Sequence, residues 1–169
     1  MYDYMRSEAC PFDELVDAAE KASLPTADIP AYKKYLKHRH PAMRYWGAVG
    51  LLIHLDAAQG EVNALIRASG DPSSAVAVMA AEALYGLGET ETAVKAYQRI
   101  LTEKSYDMMD RNFALNSIDG AHVSHPVLTQ VIRDFYEANK EGKEGFARFG
   151  AYDWLMSESL LKKWGELPS

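Results

Sequence analysis

The 169 residues carry 18 Lys and Arg against 24 Asp and Glu, a formal net charge of -6. That balance weighs against a phosphate-backbone partner, because affinity for nucleic acid rests largely on basic side chains that release counterions. The composition, 48% hydrophobic and 25% charged, is that of a globular domain able to bury a core; the lone Cys10 excludes an internal disulfide and a multi-cysteine zinc cage, and no stretch is apolar and long enough to span a bilayer.

The opening Met1-Tyr2-Asp3-Tyr4-Met5-Arg6 lacks the basic end and apolar run of a secretory signal. Phe12, Leu15, Val16 and Ala19 then recur at helical spacing and predict a helix over 11–23. A second helix, 28–39, carries the basic run Lys33, Lys34, Lys37, His38, Arg39 and His40, read as a solvated face. His40-Pro41 is expected to open a third helix, 41–55, and a fourth is expected over 58–69 on the spacing of Val62, Leu65 and Ile66.

Gly70 is expected to end that fourth helix in a left-handed conformation, with Asp71 as N-cap and Pro72 as first residue of a helix over 72–87. Val76, Met79, Ala80, Ala83, Leu84 and Leu87 make that helix the clearest apolar stripe in the chain. Gly47, Gly50 and Gly86 fall inside helical stripes, where glycine costs roughly 1 kcal/mol relative to alanine, so each is expected to mark close packing. After Gly88, helices follow over 90–103, 107–119 and 125–138, with Gly120 as a stop and His125-Pro126 as a start. Two last helices, 145–156 and 157–164, carry Phe146, Phe149, Tyr152, Trp154, Leu155, Leu160, Leu161 and Trp164 and are expected to close the core as a cap.

Internal similarity is the most informative feature. Met43-Arg44-Tyr45-Trp46-Gly47-Ala48-Val49-Gly50-Leu51 matches Val76-Ala77-Val78-Met79-Ala80-Ala81-Glu82-Ala83-Leu84 at an offset of 33 residues, and Ala114-Leu115-Asn116-Ser117-Ile118 matches Ala80 to Leu84 at an offset of 34. A period of helix, turn, helix implies an all-α chain, an α-solenoid of HEAT-like antiparallel helix pairs with about ten helices. The expected organisation is a single repeat domain over 1–169: an N-terminal pair (1–40), core repeats (41–138) and a C-terminal cap (139–169), as a fragment of a larger chain.

Catalytic and metal-binding constellations are weak. His38 and His40 are two apart and point to different helix faces, which disfavours joint metal binding. His122 and His125 straddle a turn, and His125 reads as a cap; Glu89 with Glu91, and Asp107 with Asp110, lie at helix starts where acidic groups favour the dipole. Cys10, beside Pro11, has no histidine near it in sequence and reads as a packed or incidental cysteine rather than a reactive thiol. Trp46 is expected inside, in register with Met79, and Tyr45 with Arg44 outside. His40, Arg44, Tyr45 and Arg111 are the candidate interaction surface, an intramolecular salt bridge being the competing reading for Arg44. No catalytic, cofactor or metal residue is assigned.

His40-Pro41, Met43 to Leu52, Asp71-Pro72, Val76, Ala80 to Leu84, Leu87-Gly88 and Ala114 to Asp119 together resemble the C-terminal HEAT-like region appended to bacterial sulfatases of the N-sulfoglucosamine sulfohydrolase and arylsulfatase type. The resemblance covers about residues 9–138; Ala77 stands where such repeats often carry arginine, and Gly47 where they often carry alanine. It implies a non-catalytic accessory region whose catalytic domain lies upstream. The sulfatase Cys-x-Pro-Ser-Arg signature has no counterpart here, since Cys10 is followed by Pro11-Phe12-Asp13-Glu14, and the clustered Asp and Asn calcium ligands are missing. The expected partner is protein, the catalytic domain or a second copy, with no nucleic acid and no membrane; a sulfatase parent would place the chain in the periplasm or outside the cell. The alternative is a HEAT-fold enzyme or nucleic-acid binder of the alkylpurine glycosylase kind, which would need a basic concave groove with aromatic side chains and a carboxylate, or a bilin-lyase-like protein.

Overall fold

The computed structural model describes residues 10–139 and 151–168. Among them the regular structure is helical throughout: nine α-helices and one 3-10 turn. None is long and apolar enough to cross a membrane. The chain divides into two compact units, Met1–Glu89 and Thr90–Ser169.

The first unit holds α1 (Phe12–Ser23), α2 (Ile29–Tyr35), α3 (Pro41–Ile53), the 3-10 turn Gln59–Glu61, α4 (Val62–Ala68) and α5 (Ser74–Gly86). Helix α3 is its hub, packed on α1, α2 and α5, while α4 packs on α5. The two helices related by the 33-residue offset therefore lie against each other. Their equivalent positions share one fate: Met43 and Val76, Gly47 and Ala80, Ala48 and Ala81, Gly50 and Ala83, and Leu51 and Leu84 are all buried.

The second unit holds α6 (Thr90–Thr102), α7 (Met108–Gly120), α8 (Pro126–Asn139) and α9 (Ala151–Lys163). Here α6 packs on α7 and α8, and α9 on α7 and α8. Ala114, Leu115, Ser117 and Ile118 of the third sequence copy are buried, as are Leu128, Ile132, Leu160 and Leu161. Tyr97 and Ser117, both buried, satisfy each other through a 2.8 Å hydroxyl–hydroxyl bond.

Several local expectations are corrected. On α1 the buried face is Leu15, Ala18 and Ala22, while Phe12 is 62% exposed and Val16 also faces outward. Asp71 is not the cap of α5: that helix starts at Ser74 after an N-cap at Ser73, because the Asp71 carboxylate instead accepts the Ser73 N–H at 2.8 Å and grips Arg44. Gly70 keeps a negative φ, and Gly120 continues α7; the left-handed residue after α7 is His122, at φ 53°. The bonds Val123 N–H to Ile118 O (2.9 Å) and His122 N–H to Asp119 O (3.2 Å) close the helix around it.

The expected break between 156 and 157 is absent, since no Gly or Pro interrupts that stretch and α9 runs through with Ser157 fully buried. Trp154 stacks on Tyr136 at 5.5 Å, and Leu155 faces outward. Phe146 and Phe149, with the first half of the expected 145–156 helix (145–150), lie outside the described residues, as does the N-terminal stretch 1–9.

The three helical glycines meet neighbours as their cost implied. A Cβ on Gly47 would lie 2.7 Å from the Leu36 N and 2.8 Å from the Tyr32 O, the backbone of α2 and its C-terminal turn. One on Gly50 would lie 2.5 Å from the Tyr32 ring, and one on Gly86 2.7 Å from the tip of Leu55. Helix α2 thus seats its C-terminal end directly on α3.

Candidate functional site

The polar groups singled out in the sequence collect at the start of α3. Proline at the first helical position has no N–H to satisfy, so the first exposed amide of α3 is that of Ala42. It donates to Nδ1 of His40 at 3.2 Å. The His40 N–H in turn donates to Nδ1 of His38 at 3.0 Å, and Nε2 of His38 stands 3.9 Å from the Glu14 carboxylate on α1. His40, expected on an interaction surface, is instead buried, with only 5% exposure. Burial, together with the neighbouring His38, Arg44 and Arg39, holds it below the ordinary imidazole range.

Arg44 is held from several sides. Its Nε donates to Asp71 at 2.7 Å and an Nη at 2.9 Å, a two-pronged ion pair with the partners only 17% and 10% exposed. A further Nη reaches the carbonyls of His38 and Arg39 at 3.1 and 3.0 Å. The guanidinium therefore ties three pieces of chain together: the turn before α3, α3 itself and the turn before α5. Tyr45 and Trp46 are both half-buried and meet edge to face at 5.6 Å, so neither the inward expectation for Trp46 nor the outward one for Tyr45 describes them fully. Burial and the Glu82 carboxylate on α5 push the Tyr45 hydroxyl above the ordinary phenol range.

Arg111, the fourth candidate, belongs to the second unit. It donates to the Tyr106 carbonyl at 2.7 Å, lies over the Phe135 ring at 5.9 Å, and lines a shallow apolar hollow with Leu115 and Ile132. Nearby, Asp107 and Asp110 form a reciprocal capping box at the start of α7, each carboxylate accepting the other residue's N–H at 3.0 Å. His125 repeats the His-Pro start, its Nδ1 accepting the Val127 N–H at 3.2 Å, but its Nε2 faces Glu91 at 3.3 Å. Among the described residues no three His, Cys, Asp or Glu side chains stand close enough together to hold a metal ion.

Sequence reasoning missed two groups. Tyr32 is fully buried, its hydroxyl donating to the Lys21 carbonyl at 2.9 Å and its ring stacked on His54 at 5.8 Å. The glycines three apart on α3 announce a bulky neighbour without saying which one. Asp71 reads as a cap in the sequence, and only the distance to Arg44, 27 residues earlier, reveals the clamp. The chain matches no family model, and comparison with curated proteins and with solved structures finds no significant relative.

Proposed function

We propose that this chain is a HEAT-like helical-repeat module without catalytic chemistry of its own, which offers a surface to protein: the catalytic domain of a sulfatase in the same polypeptide, or a second copy of itself. The observation that carries the reading is the packing of α3 on α5, two helices related by the internal repeat, with the same positions buried in both. Contacts between a helix and the next but one, α1 with α3, α3 with α5, α6 with α8 and α7 with α9, are how stacked helix pairs share a core. The sulfatase assignment rests on the sequence resemblance of the α3, α5 and α7 segments.

The polar groups at the α3 start support a structural role, because each is engaged within the chain. His40 caps, Asp71 holds Arg44, and Arg44 braces two turns. Tyr45, half-exposed beside Trp46, is the candidate that retains aromatic surface for a partner. Sedimentation of the purified chain, alone and mixed with a sulfatase catalytic domain at roughly tens of micromolar, tests the proposal. A complex, or a dimer, weakened by Tyr45→Ala supports it; a monomer that leaves the catalytic domain free under both conditions overturns it.

A further inference from the structure

We propose that His40 makes the start of α3 an acid-labile joint, an element that holds only while its imidazole is neutral and that loosens the first unit on mild acidification. The geometry requires the neutral Nε2–H form, because Nδ1 must present a lone pair to the Ala42 N–H. A proton on Nδ1 would turn the acceptor into a second donor facing an N–H. It would also place a cation at the positive end of the α3 dipole.

The surroundings oppose that proton. Burial disfavours it first, then His38 and Arg39 in the preceding turn and Arg44 on α3 itself; among the described residues, Asp71, before α5, is engaged by Arg44, and Glu14, on α1, stands 3.9 Å from His38. His38 is part of the same chain of bonds, since its own Nδ1 accepts the His40 N–H. Arg44 sits one turn along, its N–H bonded to the His40 carbonyl at 3.3 Å, so fraying of the first turn takes the Asp71 clamp with it. The first unit is the more exposed to this because α3 touches α1, α2 and α5.

His125 provides a built-in comparison. It starts α8 through the same Nδ1 bond, but it is half-buried where His40 is buried, and its Nε2 faces the Glu91 carboxylate at 3.3 Å. The two His-Pro starts thus look alike in sequence and differ in enclosure.

The sign follows from proton uptake. His40 is depressed in the folded chain, so the unfolded chain binds the extra proton as pH falls below about 6.5. The stabilisation is complete above that pH and is lost as pH falls toward the folded value, with the opening equilibrium rising by up to about tenfold per pH unit.

The test is amide exchange and histidine NMR of the full chain between pH 7.5 and 5. The amides of the first turn of α3 should open progressively more as pH falls, His40 should show the Nε2–H tautomer, and it should titrate below the ordinary imidazole range. His40→Asn, which keeps a side-chain acceptor but cannot titrate, should abolish the pH-dependent opening of α3, and His125→Asn should leave it in place. An undiminished pH response in His40→Asn would overturn the proposal. Should that variant fail to fold, the wild-type spectra decide alone: His40 as the Nδ1–H tautomer, or titrating at or above the ordinary imidazole range, overturns it equally.

Discussion

Asp71 shows how a single carboxylate can be placed by competition. Its sequence neighbour Pro72 suits a helix cap, but two charge-assisted bonds from Arg44 outweigh one amide bond at a helix end, and the side chain turns toward the arginine while still accepting the Ser73 N–H. Removing it takes both of these charge-assisted bonds from a largely enclosed guanidinium. Asp71→Ala is therefore expected to lower unfolding stability by about 2–3 kcal/mol in urea titrations, and Asp71→Asn, which keeps the acceptor for Ser73, by less. His122 tells the opposite story. It occupies the left-handed region at φ 53°, where a Cβ is penalised by roughly 1–2 kcal/mol, to close α7. His122→Gly should raise stability by about 1 kcal/mol, measured the same way, because glycine takes that conformation without the penalty.

At the scale of the helix, the glycines separate two meanings of one residue type. Gly47 is excluded from having a side chain by the backbone of the Tyr32–Leu36 stretch, which cannot yield as a flexible side chain would. Gly47→Ala should cost about 2–3 kcal/mol and lower the thermal midpoint. Gly120, inside the last turn of α7, has nothing within 4 Å of its would-be Cβ and a negative φ, so Gly120→Ala should instead stabilise by about 0.5–1 kcal/mol. Periodicity alone marks both as helical glycines. Telling them apart takes the neighbouring helix, and that is the general limit here: the stripe on α5, the repeat match of α3 with α5 and the His-Pro starts are readable because they are local, whereas the Arg44–Asp71 pair, the enclosure of His40 and the outward turn of Phe12 depend on which helix lies alongside.

At the scale of the molecule, the all-helical character of the described residues and nearly every helix among them follow from spacing, while the repeat offsets already relate α3 to α5. The division at Glu89 left no mark in composition, because Gly88 there ends a helix in the same way as other turns do. Each unit has its own buried set, the first including Tyr32, Met43, Leu51, Leu65 and Leu84. A fragment ending at Glu89 is accordingly expected to retain helical circular dichroism and a cooperative thermal transition. A fragment lacking any such transition would show that the first unit draws its stability from beyond its own core.

Tyr32 has one last implication. With its hydroxyl anchored to the Lys21 carbonyl, one face on His54 and its edge pressed to Gly50, the phenol cannot spin about its own axis unless α2 and α3 part. Its two sides therefore live in different magnetic surroundings, and the rate at which they exchange is a clock for the breathing of the helix pair.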